Sequence, residues 1–171
     1  MVLREPERFD GYLVMGMMHL WQTRRTVLPN LWRLYYQVPI ATIGGSLLRR
    51  TGFIKFLFRF ASDVDPADAR VFAERFRDPV CARTGRNTYR TFPVHDVLVA
   101  ARRPGYRPTT VPIRALLGTR DPAIPVSMTA SETARADDYT LETVDAGHFV
   151  VDERPDLVRK KLIDLAEETA H

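Results

Sequence analysis

The sequence has little cysteine, little lysine and no long hydrophobic run. Its single cysteine, Cys81, excludes an intramolecular disulfide and a Cys/His zinc cluster. The longest apolar runs, residues 12–21 and 53–61, are too short to cross a bilayer, and the first ten residues are too polar for a signal peptide. A free thiol suits a reducing compartment. These absences predict a soluble, cytoplasmic protein with no membrane partner.

Basic residues exceed acidic ones without forming a block. The net charge is +4, and only three of the 25 basic residues are lysines. The arginines are scattered among Asp and Glu, and no nucleic-acid-binding motif accompanies them, so we expect no nucleic-acid partner. The hydrophobic fraction of 45% and the charged fraction of 27% are typical of a globular protein. The sequence implies no cofactor and no metal.

An aspartate and a histidine follow two successive strand-like runs. The apolar run 113–117 ends at Gly118 and is followed by Asp121, while the run 139–144 is followed by His148. Parallel strands present the residues at their carboxyl ends to one edge of a sheet. Alone, an Asp before proline is a common turn former and a Gly-His pair is usually a loop. Together, in this order, they favour the acid and the histidine of a hydrolytic triad.

The rest of the chain alternates between sheet and helix patterns. Residues 9–18 form a nearly continuous apolar run, typical of a strand buried on both faces. The periodicity then becomes helical, and Asp65-Pro66 is typical of a helix start. A final helix is predicted from Arg154-Pro155 onward, with an apolar face that covers the sheet. This face comprises Leu157, Val158, Leu162, Ile163, Leu165 and Ala166. Glu153 is expected in the first turn of that helix, without a chemical role.

The two turns together resemble the last third of the α/β-hydrolase fold. The G-T-R-D turn at 118–121, and G-H-F at 147–149 followed by E-R-P, resemble the epoxide hydrolase and haloalkane dehalogenase branch in particular. The resemblance implies Asp121 as the orienting acid and His148 as the general base. It also implies a partial α/β-hydrolase fold of about three parallel core strands with flanking helices and an inserted helical cap. The implied domains are residues 1–27 (a core strand and the start of the cap linker), 28–107 (the cap) and 108–171 (the C-terminal part of the core).

Within the cap, R-N-T-Y-R resembles the N-x-Y-R stretch of epoxide hydrolases, which maps the tyrosine that hydrogen-bonds the epoxide oxygen onto Tyr89. The alternative is a tyrosine that only packs the cap. The family's second tyrosine precedes an aromatic-aromatic-Gln run by three residues. Here Trp32 occupies that position, and Tyr35 or Tyr36 could replace the tyrosine. The resemblance thus implies four substrate-binding candidates: Trp32, Tyr35, Tyr36 and His19, which follows the first strand as a loop or pocket-wall residue. We expect most of the cap aromatics, which include Phe53, Phe56, Phe58 and Phe60, to form the cap's own core.

The sequence contains no recognisable nucleophile. Its four serines, Ser46, Ser62, Ser127 and Ser131, lie outside any G-x-S-x-G motif. The form of this motif with an aspartate nucleophile, G-x-D-x-G, and the oxyanion loop H-G-x-P are also absent. We therefore expect a fragment that matches the C-terminal half of the family, with an exposed edge on its first strand. Such a fragment would pair with a missing N-terminal half or form a homo-oligomer.

The resemblance implies an epoxide hydrolase-like enzyme that hydrolyses a small apolar substrate through a covalent ester, with a His-Asp pair that activates water. The sequence leaves three alternatives open. They are a catalytically inactive remnant or accessory binding subunit, a dehalogenase, and a serine esterase or C–C bond hydrolase.

Overall fold

A computed structural model describes residue 2, residues 5–17, residue 25 and residues 28–92, 108–128 and 136–170. Its strands are β1 (Tyr12–Met15), β2 (Ile113–Gly118) and β3 (Tyr139–Val144). Its α-helices are α1 (Gln37–Leu47), α2 (Thr51–Ala61), α3 (Pro66–Arg75), α4 (Pro79–Thr91), α5 (Val150–Glu153) and α6 (Pro155–Thr169), and short 3-10 helices cover Pro6–Arg8, Leu28–Leu34 and Val126–Met128. The chain forms two compact units. The sheet unit comprises Met1–Trp21 and Pro104–His171, and the helical unit comprises Gln22–Arg103.

The sheet unit contains three parallel strands in the order β1-β2-β3. In the register, Tyr12 is opposite Ile113, and Gly118 is opposite Val144. The strands therefore end at one edge, and the turns that follow β2 and β3 are neighbours. This confirms the predicted parallel three-stranded sheet.

The central strand is the most buried part of this unit. Five of the six residues of β2 are buried, and Arg114 alone is partly exposed. Leu116 forms the core cluster with Val144, Ala146, Val150 and Val158. Burial of both faces explains why β2 is apolar almost throughout.

The last helix buries a narrower face than predicted. Val158 and Leu165 of α6 are buried, whereas Leu162 and Ile163 are exposed by 51% and 45%. Val158 and Leu165 are seven residues apart, close to two turns, and therefore share one face. Ile163 follows Val158 by five residues, which places it roughly 140° further around the helix. The prediction was too wide because it grouped every apolar residue of the segment.

The prediction that the first strand is buried on both faces was wrong. Every residue of β1 is only partly buried. Among the described residues, β1 pairs with β2 alone, so it is the edge strand. The N–H groups of Tyr12 and Gly16 donate to Pro112 and Leu116. Because backbone direction alternates along a strand, Leu13 and Met15 present their N–H and C=O groups to the opposite, open edge.

Two helices of the helical unit, α3 and α4, begin at an aspartate that caps their first turn. The Asp65 side chain accepts from the N–H of Ala67 at 2.7 Å, and Pro66 opens α3, as predicted. The Asp78 side chain caps α4 in the same way and accepts from the N–H groups of Val80 at 2.6 Å and Cys81 at 3.3 Å. These side chains satisfy N–H groups that have no partner inside the helix.

The buried residues of the helical unit are mostly aliphatic. They include Leu34, Ile40, Leu48, Ile54, Ala69, Ala73 and Ala82. Phe58 is the aromatic exception, whereas Trp32, Tyr35, Phe56 and Phe60 are more than half exposed. The expectation that most of the aromatics form the core of this unit was therefore wrong. None of the described helices is long and apolar enough to span a membrane.

Candidate active site

Asp121 lies in the turn that follows β2 and is held rigidly. Its side chain is fully buried. One carboxylate oxygen, Oδ1, accepts from the N–H groups of Ala123 at 2.7 Å and Ile124 at 3.0 Å. An aspartate followed by proline favours this kind of turn, in which the side chain caps the backbone just beyond it. These bonds leave the other oxygen, Oδ2, for a second partner.

That partner is His148, in the turn that follows β3. The distance from His148 Nδ1 to Asp121 Oδ2 is 2.8 Å. The imidazole is 24% exposed, while the carboxylate is not exposed at all. A buried carboxylate that accepts a hydrogen bond from Nδ1 selects the Nδ1–H tautomer, so Nε2 is the nitrogen that can accept a proton. The two side chains therefore meet as the sequence predicted, and their roles as orienting acid and general base stay predictions.

The two turns are joined by their backbones. The N–H of Thr119 donates to the carbonyl of Val144 at 2.8 Å, and the N–H of Arg120 donates to that of Ala146 at 3.0 Å. A Cβ on Gly118 would lie 2.1 Å from the Gly147 carbonyl oxygen. Only glycine allows this approach. The glycine of the G-x-x-D turn is therefore required by the packing of one turn on the other.

A third contact comes from the end of β1. Gly16 has a φ of 55°, which disfavours other residues, and a Cβ there would lie 2.5 Å from the His148 carbonyl oxygen. The Phe149 ring lies edge-on to the imidazole, with 5.1 Å between the centroids. All three strands thus contribute to the placement of His148.

Glu153 was wrongly expected in the first turn of the last helix. It is instead the final residue of the one-turn helix α5, and its side chain is only 5% exposed. Its Oε1 accepts from the N–H of Gly147 at 2.9 Å, and Oε2 lies 3.5 Å from the Arg120 guanidinium. Sequence reasoning missed this residue, although the E-R-P spacing after Gly-His was the available signal.

The helical unit brings together two of its predicted tyrosines. The rings of Tyr36 and Tyr89 meet edge-on with 6.3 Å between their centroids. The Tyr36 hydroxyl lies 3.4 Å from Nε2 of Gln37, which is buried. Burial, and to a smaller extent the neighbouring Tyr36, raise the pKa of the Tyr89 phenol to about 12. Tyr89 is therefore a neutral hydrogen-bond donor at physiological pH.

The remaining predicted binding residues are more exposed. Trp32 is 64% exposed and is covered on one face by the Arg33 guanidinium, which lies 4.7 Å from the ring centroid. Tyr35 is 59% exposed and contacts Tyr36 edge-on. His19 lies outside the described residues.

No family model matches the sequence, and no curated protein is significantly similar to it. Solved structures do match. The epoxide hydrolase of Bacillus megaterium in complex with an inhibitor has a TM-score of 0.72 at 14% identity, over 97% of this chain and 63% of its own. Cfl2 of Burkholderia cenocepacia has a TM-score of 0.73 at 20% identity, and the match covers 95% of this chain and 59% of Cfl2. The 2-hydroxy-6-oxo-6-phenylhexa-2,4-dienoate hydrolase of Rhodococcus sp. strain RHA1 has a TM-score of 0.64 at 18% identity, over 97% and 58%.

The protein therefore has a partial α/β-hydrolase fold, which confirms the predicted fold class. Epoxide hydrolases are among the proteins that share it, as the sequence resemblance implied. The chain spans about three fifths of the length of these structures.

Proposed function

We propose that this chain supplies the acid and the histidine of an epoxide hydrolase-like enzyme that acts on a small apolar substrate. The observation that carries the proposal is the 2.8 Å contact between His148 Nδ1 and Asp121 Oδ2, at the shared edge of a parallel sheet. A carboxylate fixed by two backbone N–H groups and paired with an imidazole is suited to general-base catalysis.

In the proposed reaction a nucleophilic carboxylate attacks a carbon of the epoxide, and the C–O bond of the ring breaks. The Tyr89 phenol donates a hydrogen bond to the oxygen that takes up the negative charge. His148 then accepts a proton from water at Nε2, and the hydroxide attacks the carbonyl carbon of the ester. The ester C–O bond breaks and leaves a carboxylic acid on the enzyme. One oxygen of the product takes the proton from the imidazolium and the other takes the proton of this acid, so the diol leaves and the carboxylate is restored. Asp121 stabilises the imidazolium between these steps.

Tyr36 is proposed as the second tyrosine of this reaction. Its ring contacts Tyr89, whereas Trp32, which occupies the sequence position of the family's second tyrosine, is largely exposed. Trp32, Tyr35 and His19 stay proposed as substrate contacts. Residues 28–107 stay proposed as the cap that holds them.

The nucleophile is proposed to come from a segment that pairs with β1. The open edge of this strand presents the backbone groups of Leu13 and Met15, and no described residue bonds to them. A parallel strand added there would end beside Gly16, and therefore beside His148. We favour a missing N-terminal half over a second copy as the source, because this sequence has no nucleophile motif to donate.

The test is to sequence the DNA upstream of Met1 and to express the chain with any in-frame segment that carries H-G-x-P and G-x-D-x-G. That protein should hydrolyse small aryl epoxides, and His148→Gln should accumulate a peptide heavier by the mass of the substrate. Ser127→Ala is the matched control and should turn over normally, because Ser127 is exposed and lies outside any elbow motif. Normal turnover by His148→Gln would remove the histidine from this role.

The absence of a nucleophile motif favours one other class of function, a catalytically inactive binding protein. This alternative predicts no ester in any variant, whichever upstream segment is added. It also predicts that an aryl epoxide or diol binds equally well to the parent chain and to His148→Gln, as measured by calorimetry.

A further inference from the structure

Glu153 is a buried carboxylate that the proposed reaction does not use. Glutamate side chains are seldom buried unless they are paired, because desolvation of the charge is costly. The Glu153 side chain is 5% exposed, and its Oε1 accepts from the N–H of Gly147 at 2.9 Å. Gly147 immediately precedes His148, so this bond fixes the backbone from which the imidazole projects.

The other side of the Glu153 carboxylate faces the turn that carries the acid. Oε2 lies 3.5 Å from the guanidinium of Arg120, the residue before Asp121. The same guanidinium donates through Nε to Asp145 at 2.8 Å. Arg120 belongs to the turn of Asp121 and contacts the carboxylates of Asp145 and Glu153, which lie on either side of His148 in the chain. The bond to Asp145 is charge-assisted, and such bonds are stronger than neutral ones.

A short helix delivers Glu153 to this position. The N–H groups of Asp152 and Glu153 both donate to the Phe149 carbonyl at 3.0 Å, so the chain makes one turn directly after His148. The turn brings Glu153 back against Gly147, six residues earlier. Arg154, the next residue, donates to the Asp145 carbonyl at 3.2 Å. The segment that follows the histidine thus folds back to hold the segment before it.

We propose that Glu153 is a positioning residue: with Arg120, it locks the turn of His148 against the turn of Asp121 and so sets the contact between Nδ1 and Oδ2. The inference rests on the proposed function only for the use of that contact in catalysis. The contact itself exists in the chain as it stands and can be measured without a nucleophile or a substrate.

The test is ¹⁵N NMR of the four histidines, with the His148 signals assigned by their loss in His148→Gln. In the parent chain His148 should be the Nδ1–H tautomer, because Nδ1 donates to the buried Asp121. Glu153→Ala removes both links of the carboxylate and should shift His148 toward the Nε2–H tautomer. Glu153→Gln keeps an oxygen that can accept from Gly147 and should restore the Nδ1–H form.

The matched control is Glu168→Ala, which removes an ion pair of Arg114 near the opposite end of β2. It should lower stability and leave the His148 tautomer unchanged. The proposal is overturned if Glu153→Ala folds with the parent tautomer, or if Glu168→Ala shifts the tautomer equally. Should Glu153→Ala not fold, Arg120→Met decides. A shift toward Nε2–H supports the proposal, and an unchanged tautomer overturns it.

These outcomes are independent of the test of function. Trapping of an ester in the complete enzyme decides whether His148 acts as a base. The tautomer decides whether Glu153 positions it. If both hold, Glu153→Ala should lower kcat of the complete enzyme with little change in KM, and Glu153→Gln should recover much of the loss.

Discussion

The sheet unit and the helical unit differ in how closely their backbones approach. In the sheet unit the turns after β2 and β3 touch, and a single methyl group on Gly118 would overlap two carbonyl oxygens. In the helical unit a Cβ on Gly45 or Gly52 meets no described atom within 4 Å. The Asp121 and Glu153 carboxylates have partners on both oxygens, whereas among the described residues Gln37 Oε1 and Arg86 Nε have none.

The comparison shows that the backbone is most tightly constrained in the turns of the sheet unit. The turns that carry Asp121 and His148 are packed so closely that their backbones leave no room for adjustment. The helical unit exposes more of the large apolar side chains, among them Trp32, Phe56 and Phe60. Replacing a glycine by alanine should therefore have opposite consequences at Gly118 and at Gly45.

The largest effect is expected for Gly118→Ala. Its Cβ would lie 2.1 Å from one backbone oxygen and 2.3 Å from another, so the two turns must separate. We expect a loss of about 3 kcal/mol or more in the free energy of unfolding, at the upper end for overpacking. Gly45→Ala, inside α1, should instead gain about 1 kcal/mol, because alanine is the better helix former. Urea unfolding of both variants measures the expected loss and the expected gain in the free energy of unfolding.

Hydrogen exchange by mass spectrometry provides the control for this pair. The loss in Gly118→Ala should appear in peptides that cover residues 113–121 and 139–148, and the gain in Gly45→Ala in those that cover residues 37–47. Equal stability of Gly118→Ala and the parent would show that the turns are less tightly packed than the distances indicate.

The sequence predicted the elements that depend on local patterns. The apolar β2, the acid and histidine turns and the Asp65 cap are encoded in a few adjacent residues, so they could be found without coordinates. The contact between Asp121 and His148 follows from the rule that parallel strands end at one edge.

The features that sequence reasoning missed depend on where the chain returns in space. Glu153 looks like an ordinary acidic residue before a helix, and only the one-turn helix after Phe149 places it against Gly147. The exposure of β1 depends on which strands are its neighbours, since an apolar run has the same pattern in a central and an edge strand. The wide apolar face predicted for α6 failed because periodicity shows which residues could be buried, not how many the sheet can cover.

The next largest effect compares two aspartates with the same bonding pattern. Asp121 and Asp78 each accept from two backbone N–H groups, but only Asp121 is buried. Asp121→Ala should cost about 3 kcal/mol, because two donors and the imidazole lose a buried partner. Asp78→Ala should cost about 1 kcal/mol, as expected for an exposed helix cap. Urea unfolding gives both values, and equal losses would mean that burial adds nothing to the Asp121 turn.

A smaller effect concerns Tyr89 at alkaline pH. Burial and Tyr36 raise its pKa to about 12, from 10.0. Because the folded pKa exceeds the unfolded one, Tyr89 contributes stability that is fully present below pH 10 and is lost as the pH rises toward 12. Tyr89→Phe should therefore lose less of its free energy of unfolding between pH 10 and pH 12 than the parent chain does. It should also lack the last phase of tyrosine ionisation, as followed by ultraviolet absorbance. Persistence of a phase near pH 12 in the variant would assign the raised pKa to another tyrosine.

The smallest effect is expected from the ion pair between Arg114 and Asp138. The guanidinium donates to both oxygens of the carboxylate, at 2.7 and 2.9 Å, and these bonds lower the pKa of Asp138 below 3.8. A lowered folded pKa gives stability that is present above pH 3.8 and is lost as the pH falls through the folded value. Because Asp138 is 48% exposed, the contribution should be less than about 1 kcal/mol. Asp138→Asn should therefore be slightly less stable than the parent chain at pH 7, and the difference should shrink below pH 4. If the stability difference between Arg114→Met and the parent chain also shrinks below pH 4, the lowered pKa comes from this pair. If the difference stays constant across the acid range, the loss in Asp138→Asn reflects packing of the side chain and not its charge.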